Sequence, residues 1–187
     1  MIDTSDNHRR RSIRLPCWDY SHAGAYFVTI CTRTRECLFG NVENGEMQLT
    51  DAGQAIIEEW LKIPEIRKEV QLDEWVVMPN HFHGIMVFKD DAGAIHETPS
   101  LMTVQRRRVM ALSKLMGRFK MLSAKRINKI RQTPGSALWQ RNYYEHVIRN
   151  ELDLHRIREY ITANPAQWEM DELHPQSIGR ETNRGDS

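Results

Sequence analysis

EWVVMPNHFHGIMVF, residues 74–88, decides the fold. Two apolar runs flank Met78-Pro79-Asn80, and because proline has no N–H to give to a strand ladder, the tripeptide reads as the turn of a β-hairpin. Side chains on a strand alternate at period two, so His81 and His83 share one face while Phe82 points to the other. A strand can present two metal ligands in this way, with Phe82 anchoring it in the core. The same pair could instead be two histidines satisfied at the surface or in the core, and the motif alone does not choose.

Upstream, AYFVTICT (residues 25–32) is rich in β-branched and aromatic residues and reads as a first core strand. A turn-rich stretch containing Asn44 and Gly45 follows, and then Thr50 or Asp51 can cap a helix in which Ala55, Ile56, Trp60 and Ile63 recur at helical spacing. Pro64 should end or bend it. Downstream of the hairpin, Lys89 to Pro99 reads as a polar loop. Val109, Leu112, Leu115, Phe119, Leu122, Ile127 and Ile130 then form an apolar stripe on a long basic helix. Gly117 within it costs about 1 kcal/mol relative to alanine, which hints at a close backbone approach or at nothing more than drift.

LWQRNYYEHVI, residues 138–148, reads as a fourth strand. Asn150 or Asp153 then caps a helix through Leu154, Ile157 and Ile161 that Pro165 terminates. The order strand, helix, two strands, helix, strand, helix predicts an α+β fold. It matches a ferredoxin-like antiparallel sheet with helices on one face and an added C-terminal helix. Residues 1–20 are expected to be a basic arm, 21–175 one domain, and 176–187 a disordered tail.

A chain of 187 residues can close one hydrophobic core without disulfides. The three cysteines, Cys17, Cys31 and Cys37, are odd in number and lack a C-x-x-C pair, which suggests neither a disulfide framework nor a zinc ribbon and fits a reducing cytoplasm. No stretch approaches the roughly 18 to 20 apolar residues of a membrane span, and the N-terminus has no apolar leader core, so a soluble, unexported protein with no membrane partner is expected.

The net charge of +1 conceals an uneven distribution. Between Ser100 and Arg131 lie Arg106, Arg107, Arg108, Lys114, Arg118, Lys120, Lys125, Arg126, Lys129 and Arg131, with no Asp or Glu among them. Arg9, Arg10, Arg11 and Arg14 form a second basic cluster. Both are candidate phosphate-binding surfaces, although a solvated helix face would carry the same charges.

In the last helix Tyr160 and Asn164 stand at i and i+4, one turn apart on a single face. Asn164 offers a carbonyl oxygen as a third ligand beside His81 and His83, and Tyr160 could then hold its phenol near the metal. A phenol of pKa about 10 needs activation before it can attack phosphorus, and a divalent ion on the scissile phosphate supplies it. Alternatively, Tyr160 is an amphipathic residue at the edge of the Ile157 and Ile161 stripe.

MPNHFHG, WQRNYYEHVIRN and REYITANP, in that order, resemble the REP-associated tyrosine transposases and related single-tyrosine HUH transposases, over about Tyr26 to Pro165. The resemblance implies an HUH-type ferredoxin-like domain, with His81 and His83 as metal ligands, Tyr160 as nucleophile and Asn164 completing the site. It also implies Mg²⁺ or Mn²⁺ as cofactor and hairpin-containing or single-stranded DNA as substrate. The expected activity is cutting and rejoining of single-stranded DNA through a covalent 5′-phosphotyrosine. Within the same blocks, His146 could orient a ligand or meet a phosphate, as could Arg149. Tyr143 and Tyr144 are rival nucleophiles, but neighbours on a strand face opposite ways, and both read as packing residues.

A second class of function is a domesticated module that binds DNA hairpins without cutting them. A third is a replication-initiator or relaxase nuclease, which usually sits in a longer chain. Tyr160 could complete the site of its own subunit or that of a partner in a homodimer.

Overall fold

The computed structural model describes residues 24–89 and 101–179, with the backbone alone for 101–110 and 178–179. The expected arm at 1–20, with Arg9, Arg10 and Arg11, lies outside the described residues, as do 90–100 and 180–187.

Among the described residues, six strands and four α-helices follow in the order β1 (Gly24–Cys31), β2 (Gly40–Glu43), β3 (Glu46–Leu49), α1 (Asp51–Leu61), α2 (Ile63–Ile66), β4 (Val70–Met78), β5 (His81–Phe88), α3 (Leu101–Ile130), β6 (Tyr144–Ile148) and α4 (Glu151–Ala163). Two 3₁₀ turns, Pro165–Met170 and Pro175–Gly179, close the described chain. The main sheet has the order β4-β5-β1-β6, with every neighbouring pair antiparallel. This is the ferredoxin-like α+β arrangement expected from the sequence.

Alternation along β1 and β5 divides the molecule into layers. Tyr26, Val28, Ile30, Phe82 and Met86 face a core closed by Ala55, Ile56 and Trp60 of α1 and by Leu112, Met116, Phe119 and Ile127 of α3. Phe27 and Ile85 face the other way and meet Ile161, Leu154 and Ile157 of α4. The C-terminal helix therefore covers the face that carries His81 and His83. Arg158 donates from Nε to Asp73 Oδ1 on β4 at 2.8 Å and from a terminal nitrogen to Oδ2, a bidentate clamp that fixes α4 against the sheet. The Asn150 side chain accepts from the Asp153 N–H and caps the helix start, as Thr50 accepts from the Gly53 N–H to cap α1.

Four details differ from the sequence expectations. The Asn44-Gly45 stretch is the turn of a hairpin, β2–β3: both residues have positive φ, 53° and 78°, the combination that a tight two-residue connection demands. The fourth strand begins only at Tyr144; Leu138 and Trp139 are buried in the core from a loop, with a single bridge from Trp139 to Thr32. Pro165 ends α4 but leads straight into a 3₁₀ turn, because a proline at the first position of a helical turn needs no N–H partner. Residues 176–179, assigned to a disordered tail, form the second 3₁₀ turn, tied back by the Ser177 hydroxyl donating to the Asp171 carbonyl at 2.8 Å.

Two glycines have opposite meanings. A Cβ on Gly84 would sit 2.6 Å from Trp60 Cζ2 and 2.9 Å from the Phe82 ring, so Trp60 approaches β5 this closely only because position 84 is bare. Around Gly117 a Cβ would meet nothing within 4 Å, so no close approach explains it. Gly84→Ala should lower unfolding free energy by about 1–3 kcal/mol through overpacking. Gly117→Ala should raise it by about 1 kcal/mol through helix propensity. Urea denaturation of both variants checks this pair of signs.

Candidate functional site

His81 and His83 stand side by side on the α4 face of β5, with ring centroids 4.5 Å apart and exposures of 0% and 2%. Each ring is held through Nδ1. Asn80 donates from Nδ2 to the carbonyls of Arg35 (3.0 Å) and Leu173 (2.8 Å), so its Oδ1 is left to accept from His81 Nδ1 at 2.8 Å. That assignment puts the proton on Nδ1 and a lone pair on Nε2. His83 Nδ1 lies 2.8 Å from Thr29 Oγ1, and its Nε2 lies 3.3 Å from the Tyr160 hydroxyl.

The helix brings the remaining groups. Tyr160, 44% exposed, packs its ring edge against His83 and Phe27. One turn on, Asn164 is buried, and its amide sits beside His81, Tyr160 and Asp171. All four residues expected at the centre, His81, His83, Tyr160 and Asn164, converge within one chain.

Sequence reasoning missed Asp171. The 3₁₀ turn Pro165–Met170 buries Trp168, which packs on His81 and His174, and the chain then delivers Asp171 Oδ2 to 3.9 Å from His81 Nε2. The signal was present: Tyr160, Asn164, Gln167 and Asp171 follow a helical stripe, and reading Pro165 as a stop cut it short.

Burial holds His83 down to about 3, and burial followed by the proximity of His83 holds His81 well below its ordinary value. Both imidazoles are neutral near pH 7, so His81 and Asp171 form no ion pair. Burial raises the Asp171 carboxyl, and burial followed by the Asp171 charge raises the Tyr160 phenol. Burial also pushes the Cys31 thiol to about 11, which keeps it protonated.

His81 Nε2 and Asn164 Oδ1 are buried without a hydrogen-bond partner. Among the described residues, ligand atoms of His81, His83 and Asp171 lie within 4.8 Å of one another. Lone pairs thus gather with few donors between them, a costly arrangement unless a cation joins it. Two neutral imidazoles, a carboxylate and an amide oxygen are a donor set that suits a divalent metal.

A cleft of about 970 Å³ opens beside this cluster, and Arg35, Arg141, Tyr144 and Glu145 lie on its walls. Tyr144 is half exposed across β1 from His83, whereas Tyr143 packs against the core. Of the two tyrosines expected to pack, Tyr143 does so against the core, and Tyr144, though half exposed, sets its ring edge-on to Phe27 at 6.3 Å. His146 Nε2 is engaged by Asp153 Oδ2 at 2.9 Å, which also accepts from the Arg149 N–H. The pair braces the start of α4. Lys114 and Arg118 are exposed on α3, in the layer opposite the cleft. Arg106, Arg107 and Arg108 belong to the same helix by their backbone.

No protein-family model matches the chain. A Haemophilus influenzae protein, described only as uncharacterised, is 39% identical over 171 residues, covering 89% of this chain and 94% of that protein. Among solved structures, the chain is similar to a REP-associated tyrosine transposase bound to a REP hairpin, at 20% identity and a TM-score of 0.49, over 95% of this chain and 86% of that one. It is also similar to a Deinococcus radiodurans protein described as a candidate transposase, at 16% identity and a TM-score of 0.45, over 80% of this chain and 96% of that one. Among the described residues no helix is long and apolar enough to cross a membrane.

Burial of neutral histidines has a measurable consequence. As pH falls below about 6.5 the unfolded chain takes up protons at His81 and His83 that the folded chain refuses, at His83 down to about pH 3, so stability is full above about pH 6.5 and falls as pH drops below it. Asp171 works in the opposite sense, but it is one group against two. Urea midpoints in EDTA should fall from pH 7 to pH 5, and His83→Gln should flatten that dependence.

Proposed function

The chain belongs to one family with the Haemophilus influenzae protein, and we propose that it is a single-stranded DNA endonuclease and strand transferase of the HUH transposase kind, acting on hairpin-containing DNA. The observation that carries this reading is the Tyr160 hydroxyl 3.3 Å from His83 Nε2, at the rim of a buried cluster of lone pairs. A phenol beside a cation site and an open cleft suits in-line attack on a phosphodiester.

In this reading Tyr160 Oη attacks the scissile phosphorus. A bond forms between phenolic oxygen and phosphorus, and the bond to the 3′ oxygen breaks. The 3′ oxygen leaves and takes up a proton as a hydroxyl, and the 5′ phosphate stays on the tyrosine. Attack by another 3′ hydroxyl reverses the step and rejoins the strand without an energy cofactor. A divalent ion, Mg²⁺ or Mn²⁺, held by His81, His83 and Asn164, would neutralise phosphate charge and lower the phenol's resistance to ionisation. The protein's own contribution is position. Asn80 and Thr29 aim the two imidazoles, and the Asp73–Arg158 clamp sets the height of Tyr160 above them.

The layers support one DNA path. Arg35 and Arg141 on the cleft are placed to meet phosphates near the reacting bond, and the exposed Tyr144 ring offers a base a stacking surface. The basic face of α3 lies on the other layer, so Lys114 and Arg118 could grip only a distal part of the duplex.

Incubation with labelled hairpin-bearing oligonucleotides and Mn²⁺ should yield a protein–DNA species that survives denaturation, and Tyr160→Phe should abolish it. An adduct that persists in that variant would remove Tyr160 from the chemistry. Arg141→Ala should weaken oligonucleotide binding and reduce the salt slope by about one unit, a larger effect than Lys114→Ala produces. Fluorescence anisotropy across a salt series measures both.

A further inference from the structure

Four acceptor groups meet at the site, and only one is anionic. Asp171 Oδ2 faces His81 Nε2 at 3.9 Å, too long for a hydrogen bond, while its other oxygen accepts from the Leu173 N–H at 2.6 Å. The carboxylate is thus oriented by its own loop. Since His81 Nε2 carries a lone pair, two acceptors oppose each other across the gap, with the orphaned Asn164 Oδ1 beside them. Opposed lone pairs at that spacing repel, yet the surrounding structure holds each of them in place. Trp168, buried, packs on His81 and on His174, and Asn80 Nδ2 bonds the Leu173 carbonyl two residues past Asp171. Asn80 therefore reaches both His81 and the Asp171 loop.

We propose that Asp171 is a protein ligand of the cation, the one charged member of a set with His81, His83 and Asn164, and that the segment after α4 is part of the metal centre. The inference rests on the reading of His81 and His83 as cation ligands. It adds two things to that reading. Hard divalent ions bind oxygen anions more strongly than neutral imidazole or amide groups, so Asp171 should dominate affinity although it stands outside the histidine motif. The cation should also tie the Pro165–Gly179 region to β5, joining through one ion the strand and the C-terminal segment that Asn80 already bridges.

The test uses the full-length, metal-stripped chain and Mn²⁺ alone, with free Mn²⁺ followed by electron paramagnetic resonance and melting temperature followed in EDTA and in Mn²⁺. Wild type should bind Mn²⁺ and melt higher with it. D171N should bind at least about tenfold more weakly and lose most of the Mn²⁺-induced rise, while melting in EDTA close to wild type. Equal affinity in D171N and wild type, or no binding by wild type, overturns the proposal. If D171N melts far below wild type in EDTA, Asp171→Ser repeats the comparison with the same two outcomes. DNA is absent throughout, which separates this inference from the strand-transfer reading. Mn²⁺ held through Asp171 without any DNA adduct would sink only the latter, whereas adduct formation with D171N binding unchanged would sink only the former.

Discussion

The structure depends on two neutral imidazoles buried on one face of β5. Period-two alternation forces His81 and His83 together, and Phe82 between them locks the strand against Trp60 and Phe119 on the opposite face. Burial without charge is tolerable because each Nδ1 has a fixed partner, Asn80 or Thr29. The Nε2 atoms are left to the interior of the site, and every other element near them is arranged around that fact. Helix α4 covers them, the Asp73–Arg158 clamp fixes its height, and the 3₁₀ turn after it brings a carboxylate back to the same point.

Much of this is legible in the order of residues alone. The hairpin around Pro79 follows from a missing N–H, and the shared face of the histidines from strand geometry. The pairing of Tyr160 with Asn164 follows from helical spacing. Their meeting in space did not follow, since nothing local says which face of the sheet a terminal helix will cover. Here the choice is made by Phe27, Ile85 and Ile148, whose apolar side chains lie on the histidine face and match Leu154, Ile157 and Ile161.

The parts that escaped have physical reasons. β2 and β3 are only four residues each and scarcely buried, so the Asn44-Gly45 turn signal had no apolar alternation beside it. Leu138 and Trp139 look like strand residues because they are buried, but they are buried as a loop plug, with the Trp139 Nε1–H donating to Ser123 Oγ at 3.0 Å. Asp171 is not readily legible from the sequence because Pro165 ends the α-helix without ending its helical sense. The basic α3, expected as a phosphate-binding surface, carries its exposed Lys114 and Arg118 across the sheet from the cleft that Arg35 and Arg141 line, a separation that charge counting along the chain does not reveal.

One chain thus gathers a phenol, two imidazoles, an amide and a carboxylate about a single point, and the functional account stands on a cation occupying it. Anomalous diffraction from crystals grown with Mn²⁺ addresses that most directly. The account requires a peak in coordination contact with both His81 Nε2 and His83 Nε2 and adjacent to the Tyr160 hydroxyl. A manganese peak elsewhere on the protein, with none between the two imidazoles, would contradict it.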